Sequence, residues 1–230
     1  MELSIDTASD WASIALSSEG HLVAETTWRC HRQHSTQLLP TVRDLLVHQN
    51  VDKSALTAVF VCTGPGGYAG LRVGVSTAKG LAFAIGIPIV GVGRLEVEAY
   101  QHADCGRPLC ALHRAGRGEV AWAVYQGPRA RWRELAAPVI SPPGVVVAQT
   151  PSGALFLGEE DDNLNQLLVP AHKAPERPYV AATRRRAGYL AELAWRRLAA
   201  GLVDDARTLV PLYLREPAIG PQKQAGEEQR

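Results

Sequence analysis

Ala58-Val59-Phe60-Val61, then Thr63-Gly64-Pro65-Gly66-Gly67-Tyr68-Ala69-Gly70-Leu71-Arg72-Val73-Gly74, then Val75-Ser76-Thr77-Ala78-Lys79-Gly80-Leu81-Ala82, is the stretch that decides the reading of this chain. An apolar run breaks at a glycine-rich turn and gives way to an amphipathic, small-residue helix, which makes a strand–loop–helix unit. Backbone N–H groups at a helix N-terminus attract anions, so the glycines first suggest a phosphate cradle. The spacing argues otherwise. Gly64, Gly66 and Gly70 read G-x-G-x-x-x-G, no acidic residue follows at the distance of a dinucleotide fingerprint, and no G-K-[ST] triplet closes a P-loop. Ser76-Thr77-Ala78-Lys79 fits S-x-x-K, but the S-D-N and K-T-G elements of serine acylation are missing, and the match is one of chance. Gly70, Gly74 and Ala78 lie four apart on one helix face, where another backbone can approach closely. Glycine inside a helix costs about 1 kcal/mol relative to alanine. The missing side chains therefore serve either close packing within the subunit or a contact between subunits.

The run from Gly64 to Gly74 closely resembles the G-P-G-S-F-T-G-L-R-I-G signature of the TsaB (YeaZ) family, partners in making threonylcarbamoyladenosine in tRNA, and the resemblance extends over most of the chain. The fold it implies is α/β, an actin/Hsp70-like (ASKHA) two-lobe fold with a reduced second lobe.

The chain of 230 residues has room for one large or two small domains. A net charge of +1 does not announce a nucleic-acid or membrane-surface binder. Cys30, Cys62, Cys105 and Cys110 form neither a C-x-x-C pair nor a Cys/His zinc pattern, and Cys62 falls in an apolar strand as a small core residue. The N-terminus reads as strand instead of signal peptide. The apolar stretch Gly80 to Val92, broken by Gly86 and Pro88, is too short to span a bilayer. A reduced, cytoplasmic protein without membrane contact is expected.

Leu3 to Asp6 reads as a buried strand, Asp6-Thr7-Ala8-Ser9 as a turn, and Trp11 to Leu16 and His21 to Trp28 as two further strands. The turn resembles the superfamily's first phosphate turn, which would give Asp6, Thr7 and Ser9 a nucleotide-binding role. The residues alone equally allow an Asx turn closed by its own side chain. His34-Ser35-Thr36-Gln37-Leu38-Leu39-Pro40 resembles the family's H-S-x-x-L-L-P segment. Apolar positions 38, 39, 42, 45 and 46 have helical spacing, with Ser35 as N-cap and Pro40 as a kink. His31 and His34 lack a third ligand in view and read as a polar loop edge. Val51 to Thr57 is a connector carrying a helical turn, Pro88 to Val92 is a strand, and Leu95 to Ala103 a helix, which implies parallel pairing with crossovers.

Breaker residues at Asp104-Cys105-Gly106-Arg107-Pro108 place the boundary between a first lobe, 1–103, and a second, degenerate lobe, 104–215. Leu109 to Leu112, Glu119 to Tyr125 and Arg131 to Leu135 read as three strands that repeat the opening of the first lobe. His113 to Val120 resembles the family's D-A-R-x-G-E-V segment, with Arg114 where aspartate is sought, and neither Arg114 nor Arg117 can ligate Mg²⁺. The segment from Ser141 to Pro151 reads as loop followed by a short apolar segment, and Ala154 to Gly158 as a strand. Asp161-Asp162-Asn163 caps a short helix through Leu168. Thr183 to Gly201 reads as a long helix stopped by Gly201 that can fold back on the first lobe; Arg184, Arg185, Arg186, Arg196 and Arg197 either form a solvated face or meet RNA. Val210 to Arg215 resembles the family's P-x-Y-x-R element, and 216–230 reads as a disordered tail.

The resemblance implies a non-catalytic subunit that pairs with the transferase TsaD, with TsaE as the ATPase partner and tRNA reached through the complex. It implies no cofactor held by this chain alone, with ATP or ADP at a shared interface of the complex. In that scheme the partner surface comprises Leu38, Leu39 and Val42 of one helix with Gly70, Leu71, Arg72, Gly74, Val75, Thr77, Ala78 and Leu81 of the next. The same surface would form a homodimer in isolation. Two rivals stand beside it: a stand-alone small-molecule kinase using Asp6 and Thr7, and a metallopeptidase-like protein using His31 and His34.

Overall fold

The computed structural model describes residues 1–158 and 184–215. Strands β1 (Glu2–Asp6), β2 (Trp11–Ser18), β3 (His21–Arg29), β4 (Ala58–Gly64) and β5 (Ile89–Gly93) form one sheet in the order β3-β2-β1-β4-β5. The first three pair antiparallel, and β1–β4 and β4–β5 pair parallel. A second sheet contains β6 (Leu109–Gly116), β7 (Glu119–Gln126), β8 (Arg133–Ser141) and β9 (Leu155–Leu157) in the order β8-β7-β6-β9. Its pairing repeats the first four strands of the first sheet, with β6–β9 the parallel pair. The molecule is therefore an α/β protein with two related sheets.

Strand parity decides which helices cover which face. Leu3, Ile5, Ile14, Leu16, Val59 and Val61 point to one side of the first sheet, where α1 (His34–His48) and α2 (Tyr68–Ile85) cover them. Ala58, Phe60, Cys62, Val90 and Val92 point to the other, against α3 (Arg94–Tyr100) and α5 (Ala187–Ala199). Helix α3 also turns Leu95 and Ala99 toward Leu109, Ala111, Ala123 and Tyr125 of the second sheet. It is the wedge that joins the lobes. The far face of the second sheet is covered by α4 (Pro143–Gln149) through Val146.

Several elements depart from the sequence reading. Helix α1 begins at His34 with Gln33 at the cap position, so Ser35 lies inside the first turn. Strand β8 starts at Arg133, after a 3-10 turn at Arg129–Arg131, and continues to Ser141. The segment read as loop from Ser141 contains α4, which Pro143 starts with its preset φ at the N-terminus. Helix α3 stops at Tyr100. Helix α5 starts at Ala187, not Thr183, because two strands supply its N-terminal caps: Ala187 N donates to Ser13 Oγ at 3.0 Å and Gly188 N to Glu25 Oε1 at 2.8 Å. Its end is a Schellman motif, with Gly201 at φ 74°, Gly201 N donating to Leu198 O and Leu202 N to Arg197 O. Thr183, the Asp161-Asp162-Asn163 helix and the tail 216–230 lie outside the described residues.

From Gly201 the chain runs back along the first lobe as an extended strap. Asp204 pairs with Ile89 on β5, and its carboxylate accepts from Gly91 N at 2.7 Å. Lys79 Nζ of α2 donates to Arg207 O and Leu209 O. Leu212 N donates to Thr63 O at 2.7 Å, and Arg215 reaches the β6–β7 hairpin at Ala115 O and Glu119.

Candidate functional site: the Asp6–Ser9 turn filled by its own chain

The Asp6–Ser9 turn and the glycine loop meet at the carboxyl ends of β1 and β4, where open α/β sheets bind ligands. Here the two segments fill each other. A Cβ on Gly66 would lie 2.1 Å from Ala8 O, one on Gly70 2.4 Å from Thr7 O, and one on Gly74 2.2 Å from Thr7 Oγ1. Thr7 Oγ1 donates to Gly70 O at 2.8 Å, and Gly67 N donates to Ala8 O at 3.0 Å. Of the two roles open to the Gly70/Gly74/Ala78 stripe, the structure displays close packing inside the subunit. The groups that lie against it are the backbone and hydroxyl of the turn, not a second chain.

Asp6 is 1% exposed. Its Oδ1 accepts from Ala8 N at 2.9 Å, which closes an Asx turn, and its Oδ2 accepts from Arg185 Nε at 2.9 Å. Arg185 NH2 lies 3.4 Å from Oδ1 and donates to Ser9 Oγ at 3.1 Å. A second guanidinium, Arg94, donates to Ala8 O at 3.4 Å. The carboxylate that a nucleotide site would use for a metal-bound water is thus neutralised by a buried arginine from 179 residues away. Burial, with the Asp6 charge as a second cause, pushes the nearby Cys62 thiol well up, so it is a protonated core residue. Arg185 is the functional residue that sequence reasoning missed. The sequence pattern puts it with four other arginines as solvated or RNA-facing, and only its place just ahead of a helix covering the Asp6 face marks it out.

The other arginines of that group have intramolecular partners. Arg184 stacks 4.3 Å from the Trp11 ring, Arg186 pairs with Glu25, and Arg197 pairs with Glu96 and donates to Gly91 O. Arg196 NH1 donates to Tyr100 OH.

His34 is buried, and its Nε2 lies 2.8 Å from Ser9 O, while His31 is exposed. Among the described residues no three His, Cys, Asp or Glu side chains gather in a metal-binding group. The β6–β7 turn has Arg117 and Gly118 at φ 55° and 75°, the two left-handed positions of a tight hairpin. Arg114 borders an interlobe pocket of about 240 Å³ that Pro65, Gly66, Leu212, Tyr213 and Arg215 also line.

The residues expected to meet a partner separate by burial. Leu38, Val42, Gly70, Leu71, Gly74, Val75 and Ala78 lie inside the subunit. Leu39 and Arg72 are exposed, and Thr77 and Leu81 are half-buried. The outer face of α2 is instead marked by Arg72, Ser76, Gly80 and Phe83, the last 74% exposed, and Leu39 of α1 is 53% exposed. A Cβ on Gly80 would meet nothing within 4 Å. Arg72 NH1 donates to Tyr68 OH at 2.7 Å, and the Tyr68 ring lies 5.3 Å from that of Tyr213 on the strap.

Two sheets of repeated strand order, with the Asp6–Ser9 turn at the carboxyl end of β1, give the actin/Hsp70-like (ASKHA) two-lobe fold. A family model described as "TsaD: tRNA N6-adenosine threonylcarbamoyltransferase" matches residues 28–220. The chain is 35% identical over 127 residues to the tRNA threonylcarbamoyladenosine biosynthesis protein TsaB of Escherichia coli, a match covering 54% of each chain. The same-named Bacillus subtilis protein is 35% identical over 124 residues. The chain spans about half the length of these curated relatives. An uncharacterized Mycobacterium tuberculosis protein is 31% identical over 227 residues, which is 95% of this chain and 93% of that one. Among solved structures, a Pseudomonas aeruginosa protein described as similar to peptidase YeaZ superposes with a TM-score of 0.80 at 28% identity, covering 93% of this chain and 99% of that one. The chain belongs to the TsaB (YeaZ) family. No helix among the described residues is long and apolar enough to cross a membrane.

Proposed function

We propose that this chain is a non-catalytic subunit that binds and activates a TsaD-type threonylcarbamoyl transferase, for N6-threonylcarbamoyladenosine formation in tRNA. The observation that carries the reading is the Asp6–Arg185 pair. A chain whose phosphate turn is closed by its own arginine has no place there for Mg-ATP, which counts against the small-molecule kinase and favours a scaffold. The partner surface in this reading is the outer face of α2 and α1, with Arg72, Ser76, Thr77, Gly80, Leu81, Phe83 and Leu39. Gly80 supports that assignment. It costs the helix about 1 kcal/mol and nothing in the subunit occupies the space it leaves, so a closely approaching second helix gives it a use. The same face would form a homodimer when the partner is absent. A TsaE-type ATPase and tRNA join through the complex, nucleotide binds at a shared interface if at all, and the setting is the cytoplasm.

The test is co-purification of the tagged chain from its own cells, with bound proteins identified by mass spectrometry, repeated for Phe83→Glu and Leu39→Glu. A TsaD-type protein should accompany the wild type and be lost from both folded variants. If the wild type emerges alone and turns over Mg-ATP with a small substrate, the kinase reading takes its place.

A further inference from the structure

A pocket of about 590 Å³ lies on the side of the first sheet away from α1 and α2, between the β2–β3 hairpin, α5 and the Arg129–Arg131 turn of the second lobe. That size falls within the roughly 300–1,000 Å³ of small-ligand sites. Its apolar walls are fixed. A Cβ on Gly20 would lie 2.8 Å from Trp195 Cβ, and one on Gly188 3.1 Å from Leu22 Cδ2, so hairpin and helix are in direct contact around the indole. Two guanidinium groups lie near the Tyr189 ring, Arg129 at 5.5 Å and Arg186 at 5.9 Å from its centroid.

Charge at the rim is divided unevenly in hydrogen-bonding capacity. Glu192 accepts from Tyr100 OH at 2.6 Å and from Arg129 NH1 at 3.1 Å, and Glu25 accepts from Arg186 Nε and Gly188 N. Glu192, which lines the pocket, and Glu25, the partner of Arg186, are each committed on both oxygens, while Glu19, the other lining acid, is exposed on the hairpin turn. Each arginine brings five N–H donors; Arg186 is engaged through Nε and Arg196 through NH1, to Tyr100 OH and Arg129 O, while Arg129 uses NH1 on Glu192 and pairs its Nε with Asp104, so terminal donors remain over for a ligand. Planar aromatic walls with surplus arginine donors match one chemistry: a planar base joined to a phosphate, stacked on the ring and held bidentately at the anion.

We propose that this pocket binds one nucleotide unit, with its base against Tyr189 or Trp195 and its phosphate on Arg129, Arg186 and Arg196. The inference that the nucleotide belongs to an RNA loop rests on the proposed role in tRNA modification; a free mononucleotide is the other source of the same chemistry.

The experiment measures anisotropy of a fluorescein-labelled RNA hairpin with an adenosine-containing single-stranded loop, titrated with the full chain. The variants are Arg186→Gln/Arg196→Gln, Tyr189→Leu and, on α1 across the sheet, the exposed Arg43→Gln, each checked for an unchanged melting profile. The double variant should bind about tenfold more weakly, with the slope of log K against log salt shallower by about 0.7 for one lost single-strand phosphate contact. Tyr189→Leu should weaken binding severalfold without changing that slope, and Arg43→Gln should bind as wild type. Competition by AMP as strong per nucleotide as by unlabelled hairpin assigns the site to free nucleotide and overturns the RNA source. Equal binding by the double variant and wild type, or displacement by polyglutamate but not by AMP or hairpin, overturns the pocket itself. Capture of a TsaD-type partner by the same variants is scored separately, so failure here leaves the scaffold reading to its own test.

Discussion

Replacing Arg185 by methionine removes the guanidinium and leaves the Asp6 carboxylate buried at 1% exposure, with Ala8 N as its remaining described donor at 2.9 Å. Breaking a buried pair from one side costs about 3–5 kcal/mol, because an uncompensated charge is stranded. For a chain of this size each kcal/mol lowers the melting temperature by about 2–4 °C, so Arg185→Met should lose roughly 6–20 °C. The double variant Asp6→Asn/Arg185→Met separates this cause from lost packing. Its amide oxygen still accepts from Ala8 N, the charge is gone, and uncharged replacements of a buried pair are often near neutral. It should recover more than half of the loss in urea denaturation followed by circular dichroism. Calorimetry with Mg-ATP on both variants then asks whether clearing the guanidinium uncovers a nucleotide site; the scaffold reading expects no heat from the wild type. If Arg185→Met stays within 1 kcal/mol of the wild type, or if the double variant is simply additive, the ion pair does not hold the turn and the argument from it fails.

The two glycines of α2 should respond oppositely to alanine. Gly80→Ala enters open space and should stabilise the isolated subunit by about 1 kcal/mol, whereas Gly74→Ala drives a methyl to 2.2 Å from Thr7 Oγ1 and should destabilise by about 1–3 kcal/mol, a loss that adding Thr7→Ala should reduce. Phe83→Glu, at 74% exposure, should change the urea midpoint by an amount corresponding to about 0.5 kcal/mol or less while abolishing partner capture. Burial raises the thiols of Cys30 to about 11 and Cys110 to about 12, while Cys105 is exposed. Native protein at pH 8 should therefore react with a thiol reagent rapidly at Cys105 alone, and at all four cysteines in urea. The folded values lie above the unfolded ones, so the unfolded chain releases these protons first; their stability contribution is complete below about pH 8.5 and is lost as pH rises towards 11. The midpoint of urea unfolding should fall from pH 8.5 to 10.5, and Cys30→Ala/Cys110→Ala should flatten that fall.

What the sequence disclosed, and what it hid, divides by how local the cause is. Strand β4 and helix α2 were readable because an apolar run, a glycine turn and a helical period follow one another within thirty residues. The repeated strand order of the second lobe was foreshadowed by its strand–turn–strand opening. Helix α4 was not readable, since Ser141-Pro142-Pro143-Gly144 reads as loop and the three valines after it favour strands. Periodicity identified the small-residue stripe of α2 but could not say what lies against it, and the answer, Thr7, sits more than sixty residues earlier. Asp6 could be suspected from its turn, whereas its occupant, Arg185, is paired across almost the whole chain and has no local signature.

The strap from Gly201 to Arg215 turns the polypeptide into a closed circuit. The chain passes from the first sheet to the second after α3, lies against the first sheet again in α5, and then runs along β5 and Thr63 to be tied to the second hairpin by Arg215. A body hinged along one line can open and shut, but one fastened along two is a bracket. A protease cut within the strap should loosen the joint without melting either sheet.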